Sequence, residues 1–589
     1  MTATHQYKAD QMIQYRVLLA CMKEALFPAA THITVKDGDV RICYQQHMLY
    51  VQYTTKSAFY QITMDGPITY FVGDDIQEIQ NLRALIDVLM THFDIEFHDR
   101  LIEELEHSVL GLSLSYRQYE TRETAMRHAL KFSRMPSELN FIAWLTHMGE
   151  DYHFSALGYT EGMVWHGHPS HPLTKTKLPL TSEAIQAYAP EFMRVVPLKI
   201  VLVHESMLHA TAMNGDTNFV LNAVIPDMKR KLQQYLEPYE ADLADYRVMF
   251  VHPWQYGNVV VEQFKDNIHA HSVIPTPYTV DAKATLSFRT MYLLGRPYHI
   301  KLPVNVQATS AVRTVSTVTT VDGPNLSYQL QPLLNEFPTL QVAMEPYGAY
   351  IDAAADTARQ FAMIVRQSPE KDATEMTQLV TASLIERNPV DKQVVVDSLI
   401  EYVYGDVNAV TIATFMRAYS AALIVPLIAY IQRYGIALEA HQQNTILEVD
   451  KTGQDFSFIV RDLGGARIDL PTLQRAIPDV TVTNTSLIAE NIEAVIAKFQ
   501  HAVIQNQLGT LIHHFKHEHQ CDEQALYDIV RDVVREAIDD TQPHAVALKR
   551  VLFGEQVIVK ALLNMRMKQQ VKKYMNIALD NPLYEKKVY

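Results

Sequence analysis

Thr445-Ile-Leu-Glu-Val-Asp-Lys-Thr-Gly-Gln-Asp-Phe-Ser-Phe-Ile-Val-Arg-Asp-Leu-Gly-Gly465 reads as a β-hairpin with a chemically loaded end. Two apolar, alternating runs flank a Thr452-Gly453 turn, the pattern that pairs adjacent antiparallel strands. The second run delivers Arg461-Asp-Leu-Gly-Gly465, so a carboxylate sits at a strand end facing a glycine turn. Just upstream lies Glu439-Ala-His-Gln-Gln-Asn444. The chain around this hairpin, from residue 332 onward, reads as mainly helical. Its most apolar stretch, Ala418–Ile431, is interrupted by Ser420 and Pro426 and is shorter than the roughly 20 residues a membrane span needs. It reads as a buried core helix, and no membrane association is expected.

Moving toward the N-terminus, residues 158–331 are richer in Gly, Pro and His. They carry strand signals at 197–203, 246–252 and 299–307. Residues 1–157 begin with short β-branched and aromatic runs at 39–44, 49–53, 57–63 and 67–72, which predict an antiparallel meander. A helical repeat of Ile76, Ile79, Leu82, Leu85, Ile86 and Leu89 follows. Strands and helices thus come in separate blocks, which predicts an α+β protein of three units, 1–157, 158–331 and 332–589.

The 589 residues are 48% hydrophobic and 20% charged, as in a packed soluble enzyme. With 66 acidic against 51 basic residues the formal charge is −15, which argues against a nucleic-acid binder. An anionic substrate therefore needs a local cationic site. Three cysteines without CxxC spacing exclude a disulfide scaffold, and no signal-peptide core precedes them, so a reducing cytoplasm fits. Neither GxxxxGK[ST] nor a strand-linked GxGxxG occurs. His204 and His209 are five apart, which does not match the HExxH zinc motif. In His513-His-Phe-Lys-His-Glu-His519, His513 and His517 have chelating i, i+4 spacing, but the polar surroundings favour a solvated face.

Three clusters in the middle unit point to phosphate and carboxylate binding. In Gly167-His-Pro-Ser-His-Pro-Leu-Thr-Lys-Thr-Lys177, prolines hold His168 and His171 in extended backbone ahead of Lys175 and Lys177. Val251-His-Pro-Trp-Gln255 places another His-Pro at a strand end. Between Thr285 and Arg313 come Thr285, Ser287, Arg289, Thr290, Lys301, Thr309, Ser310 and Arg313, with Thr314 adjacent. Strand alternation over 301–309 would line Lys301, Pro303, Asn305, Gln307 and Thr309 on one face. Cations with hydroxyls bind phosphate and carboxylate without a glycine loop. Glu439, Asn444 and Asp462 are hard oxygen ligands suited to Mg²⁺ on a nucleotide. Their arrangement echoes the catalytic-loop Asn and metal-binding Asp of protein kinases.

Taken in order, GHPSHPLTKTK, VHPWQ, TLSFRT, KLPVNVQATSAVRT, EAHQQN and RDLGG resemble the IucA/IucC family, the NRPS-independent siderophore (NIS) synthetases, which includes aerobactin synthetases. The resemblance implies a thumb, fingers and palm architecture with kinase-like features in the palm, and usually a homodimer. It implies an ATP- and Mg²⁺-dependent ligase that adenylates a carboxylate of citrate or a citrate derivative. An amine or hydroxyl nucleophile then displaces AMP. On this resemblance Ser287, Arg289 and Lys301, with His168 or His171 and Lys175, would contact ATP, together with Gln443 and Asn444. Thr309, Arg313, Arg366, His441 and Lys560 would hold the carboxylate substrate, with Arg313, His441 and Lys301 catalytic. Glu439 and Asp462 would bind the metal. Leu286 between Thr285 and Ser287, and Leu178-Pro179 after the loop cations, depart from the family pattern. A kinase-like phosphotransferase and a non-catalytic citrate- or siderophore-binding relative are the alternative readings.

Overall fold

The computed structural model describes residues 3–133, 139–150, 154–309, 311–334, 336–370, 376–450, 452–453, 455–569 and 575–585. Helix and sheet are mixed, with strands interleaved among helices from Lys177 onward rather than set in separate blocks.

The N-terminal strands form the expected meander: five antiparallel strands in sequential order, from His32–Lys36 to Asp75–Glu78. Its apolar face, including Val40, Ile42, Leu49 and Val51, is covered by helices Ala3–Lys23, Leu82–His92 and Asp99–Ser133. The first of these was not expected, although Ala9, Ile13, Val17 and Cys21 recur every fourth residue and all have zero exposure. The helix expected to begin at Ile76 begins at Leu82, where the Asn81 side chain accepts a hydrogen bond from the Ala84 N–H. Ile76 instead sits on the edge strand Asp75–Glu78, 69% exposed.

An eight-stranded sheet forms the centre. Its order is Leu208–Ala212, Tyr347–Ile351, Ala362–Gln367, Tyr298–Lys301, Thr290–Leu293, Val273–Ala284, Val196–His204 and Tyr246–Val251. Two of these strands come from beyond residue 331, so the sheet draws on both sides of the boundary expected there. The helix Thr317–Leu334 lies directly on this sheet. Gly348 permits the approach, because a β-carbon there would overlap the Thr320 backbone carbonyl. The single strand expected over 301–309 is also corrected. Tyr298–Lys301 belongs to the large sheet, whereas Val304–Ala308 pairs with Lys177–Leu178 and Ala311–Arg313 in a separate small sheet. Leu302-Pro303 makes the transfer, since Pro303 has no N–H to offer either ladder.

The hairpin forms as read: Thr445–Asp450 pairs with Phe456–Val460, with Gly453 at φ 71° in the turn. Both of its faces are buried. Leu447, Phe458 and Val460 join the large C-terminal core, where Tyr419 packs edge-on to Phe458 at 4.9 Å. Ile446 and Ile459 face Leu157, Val164 and Val380. Tyr419 comes from Ala409–Tyr434, the helix that contains the expected apolar core segment and runs through Pro426. It is long and apolar enough to cross a membrane, yet 61% of its most apolar window is buried inside the protein.

Replacing Gly348 with Ala is expected to cost about 3 kcal/mol through overpacking against the Thr320 carbonyl. Urea unfolding of Gly348→Ala beside the neighbouring strand variant Ala349→Gly checks that the loss comes from the added methyl group.

Candidate active site

The large sheet and the hairpin meet at their strand ends. Lys301 closes its strand opposite Thr290 and Ile364, and Arg366 lies two residues farther along the adjacent strand. Asp462 follows the hairpin with φ 77° and ψ 72°, a left-handed backbone that an ordinary side chain rarely adopts. Lys301 Nζ donates to both Asp462 carboxylate oxygens at 2.9 and 3.0 Å. Arg366 Nη2 stands 3.7 Å from the same carboxylate and is anchored on Glu345 through Nε at 3.2 Å and Nη2 at 2.7 Å. Arg289 donates to the Thr314 carbonyl and adds a third charge facing Asp462. Burial alone would raise the Asp462 pKa, but Lys301 and Arg366 outweigh it and hold the carboxyl well below its ordinary range. Burial lowers Arg289, helped by neighbouring Arg313, to about 10. Burial likewise lowers Lys301, with Asp462 opposing.

Glu161 fixes these two elements to each other. It forms a buried ion pair with Arg461 and accepts the Leu286 N–H, tying the RDLGG strand end to the TLSFRT turn. Arg461 also reaches the Gln443 carbonyl at 2.7 Å. Leu286 does not separate the two hydroxyls of that turn, because Thr285 Oγ1 and Ser287 Oγ are 3.2 Å apart.

The Glu439–Asn444 loop lies alongside. Gln507, held by Tyr419 at 2.8 Å, donates to the Ala440 carbonyl and to Thr445 Oγ1. Asn444 Nδ2 donates to the Glu439 carbonyl at 3.3 Å. Glu439 is paired with Lys498 and stands 3.9 Å from His441 Nε2. Burial would raise its pKa, but His441 and Lys498 bring it below the ordinary value. Gly465 lets the RDLGG turn close onto Glu439, since a β-carbon there would run into the carboxylate. Burial keeps His441 below the ordinary imidazole value, with Glu439 opposing.

Across from this loop, Arg313 Nη2 donates to Thr309 Oγ1 at 2.8 Å, while its buried Nε has no hydrogen-bond partner. The His168 and His171 rings stand 5.9 Å apart. Burial, then Arg16 and Arg313, hold His171 down to about 3, and His168 is depressed by burial and by His171. His501 lies next to Lys560, Lys498 and His441, and burial lowers it to about 4.

The structure therefore brings together Ser287, Arg289, Lys301, Arg313, Arg366, Glu439, His441 and Asp462, with Thr309, Gln443, Asn444, His168, His171 and Lys560 around them. Lys175 is a correction. Its ammonium is buried against Glu191 and the Val164 carbonyl, at 2.7 Å from the latter, and does not reach the cleft. Lys177 is buried over the Phe288 ring at 5.9 Å. His252 is fully buried beside Tyr188, and Gln255 of the same motif accepts the Asn305 N–H at 2.8 Å. Ser310 lies outside the described residues. Lys498, His501, Arg16 and Glu161 belong to no motif; a lone charge or imidazole in an otherwise apolar helical run was their only trace.

Residues 157–386 match the model of the IucA / IucC family, and residues 413–575 match a model described as ferric iron reductase FhuF-like transporter. Over 576 residues the chain is 49% identical to the staphyloferrin A synthase of Staphylococcus aureus (strain NCTC 8325 / PS 47), with 98% of each chain covered. The chain belongs to the IucA/IucC family. As a family member it is a ligase of siderophore biosynthesis, of the NIS synthetase class. The IucA/IucC chain is also 26% identical to the D-ornithine--citrate ligase of the same organism, covering 94% of this chain and 87% of that one. Its fold matches that of ATP-bound aerobactin synthetase IucA from a hypervirulent pathotype of Klebsiella pneumoniae. That match has a TM-score of 0.73 at 18% identity, over 98% and 99% of the two chains.

Two outcomes test this electrostatic layout. Lys175→Met strands a buried Glu191 and is expected to cost about 3–5 kcal/mol in urea unfolding, with Glu191→Leu in the same chain recovering most of it. A change confined to ATP affinity would instead return Lys175 to the cleft. The depressed imidazoles set a pH dependence. Unfolded histidines protonate below their ordinary 6.5, whereas folded His501 and His171 stay neutral to about 4 and about 3. Their stabilising contribution is complete above pH 6.5 and is lost as pH falls toward those lower values. The unfolding midpoint therefore drops on acidification, and His501→Gln makes the drop shallower.

Proposed function

We propose that this synthetase activates a carboxylate of citrate, or of a citrate derivative, with ATP and joins it to an amine. The observation that carries this reading is the convergence of Lys301, Arg289 and Arg366 on one carboxylate, beside an Arg313 whose buried Nε has no partner. Such a site suits an anion with several charges, and a second anion set against it. The similarity to the staphyloferrin A synthase and the D-ornithine--citrate ligase supports citrate as the acid. The ATP-bound neighbour supports ATP as the activating substrate.

In this scheme Ser287, Arg289 and Lys301, with His168 or His171, hold the phosphates, while Gln443 and Asn444 contact the nucleotide. Thr309, Arg313, Arg366, His441 and Lys560 orient the acid. A citrate carboxylate oxygen attacks the α-phosphorus, and pyrophosphate leaves. Arg289 and Arg313 are fixed before the reaction, so they stabilise the developing charge without reorganising. The amine nitrogen then attacks the acyl carbon, AMP leaves, and His441 accepts the amine proton. Glu439 and Asp462 fit Mg²⁺: both are ionised oxygen donors near each other, each now balanced by a lysine. Bound there, the cation would supply charge neutralisation at the phosphates.

The thumb, fingers and palm assignment to the three units belongs to the same reading. So do a homodimeric assembly and a cytoplasmic location, the latter supported by three unpaired cysteines.

Incubation with ATP, citrate and hydroxylamine is expected to yield citryl hydroxamate, AMP and pyrophosphate. ADP as the productive nucleotide would falsify the adenylation reading in favour of phosphoryl transfer. Arg313→Ala is expected to lower kcat by about 10²–10³. His441→Ala should slow amide formation more than pyrophosphate release, a split that quenched-flow analysis resolves.

A further inference from the structure

The His-rich segment His513–His519 does not form the solvated face its sequence suggests. It is the C-terminal part of the helix Gly509–His519, which docks between two units. Toward the meander, His513 bonds Thr63 Oγ1 and Ser57 Oγ, each at 2.8 Å, and His517 bonds Thr55 Oγ1 at 2.8 Å. The two rings with chelating spacing are thus committed to hydroxyls. The other two turn away from them, toward Asp397 in the first turn of helix Val395–Tyr404.

His514 Nε2 lies 3.0 and 3.1 Å from the two Asp397 carboxylate oxygens, and His519 Nε2 lies 2.9 Å from one of them. The three donor atoms all fall within 4.8 Å of one another. Side-chain exposure is 10% for Asp397, 9% for His514 and 24% for His519, so the group is enclosed on the protein side and open past His519. We infer that Asp397, His514 and His519 form a binding site for a zinc-like divalent cation that fastens helix Gly509–His519 to helix Val395–Tyr404.

Two imidazoles and a carboxylate are the borderline nitrogen and hard oxygen donors that Zn²⁺ takes, and three protein ligands leave a fourth position for water. Metal–ligand bonds of about 2.0–2.1 Å in a tetrahedron set donor atoms about 3.3 Å apart. The carboxylate–imidazole separations are already close to that, so binding needs small side-chain movements and loss of the shared protons. The ligands are separated by 117 and 122 residues, so a bound cation closes a long loop of the unfolded chain. None of the three residues bonds to a cleft residue, and the expected consequence is stability rather than chemistry. Without a cation the same atoms form a hydrogen-bonded triad, which is the competing outcome.

The test uses the full chain stripped with EDTA, dialysed against ZnCl₂ and then against buffer, with bound metal measured by mass spectrometry. Wild type and His513→Gln/His517→Gln are expected to retain one zinc per chain, and His514→Gln/His519→Gln none. Zinc should raise the melting temperature only where it is retained. Equal zinc retention by wild type and His514→Gln/His519→Gln, or none by wild type, overturns the proposal. Should that double variant fail to fold, His519→Gln keeps the test open: its partly exposed ring makes it the milder change. It is expected to weaken zinc binding by at least about ten-fold, and an unchanged affinity overturns the site.

Discussion

The cleft is organised by one problem of charge: a single aspartate, in a left-handed backbone conformation, stands among Lys301, Arg289 and Arg366. Four like-charged or opposite groups this close do not remain in place unless their geometry is fixed from outside. Glu345 immobilises Arg366, the Thr314 carbonyl holds Arg289, and Glu161 locks Arg461 beside Asp462. The net excess of positive charge is local, inside a chain whose formal charge is −15. Under the proposed function a polyanionic substrate would complete it.

Much of this was legible in the sequence because the chemistry rests on short runs whose backbone the sequence dictates. Gly453 and two apolar runs specify the hairpin, and the hairpin aims Asp462. The meander was legible for the same reason: its strands pair with their neighbours in order, so local signals suffice. Reading stopped where long-range pairing decides. Strands Tyr347–Ile351 and Ala362–Gln367 look no different from C-terminal strands until they join the central sheet. Lys301 and Gln307 look like one strand until Pro303 divides them between two sheets. Lys175 looked like a phosphate ligand because it sits in a motif, but its partner, Glu191, is 16 residues away and invisible to local spacing. Lys498 and His501 carried the opposite handicap: each is a polar residue in an apolar helical run, and only the tertiary packing turns them toward His441.

Support for the Glu439–Asn444 loop comes from a buried polar chain, Tyr419 to Gln507 to the Ala440 carbonyl and Thr445. Tyr419 lies on the apolar helix that also packs against Phe458 of the hairpin. The same helix therefore positions both carboxylates, Glu439 through the loop and Asp462 through the strand. A fully satisfied buried network of this kind fixes one arrangement, because any slippage leaves polar groups unpaired.

The transfer of the chain at Leu302-Pro303 has a further effect. Lys301 and Arg313 act on the same carboxylate, Asp462, from two different sheets, and the chain between them is held where Gln255 accepts the Asn305 N–H. The short Leu302-Pro303 connection keeps the small sheet tethered to the large one, so the two cations reach Asp462 from linked supports. Lys498, His501 and Lys560 approach His441 from farther along the chain, so a side chain there can be exchanged without disturbing that connection.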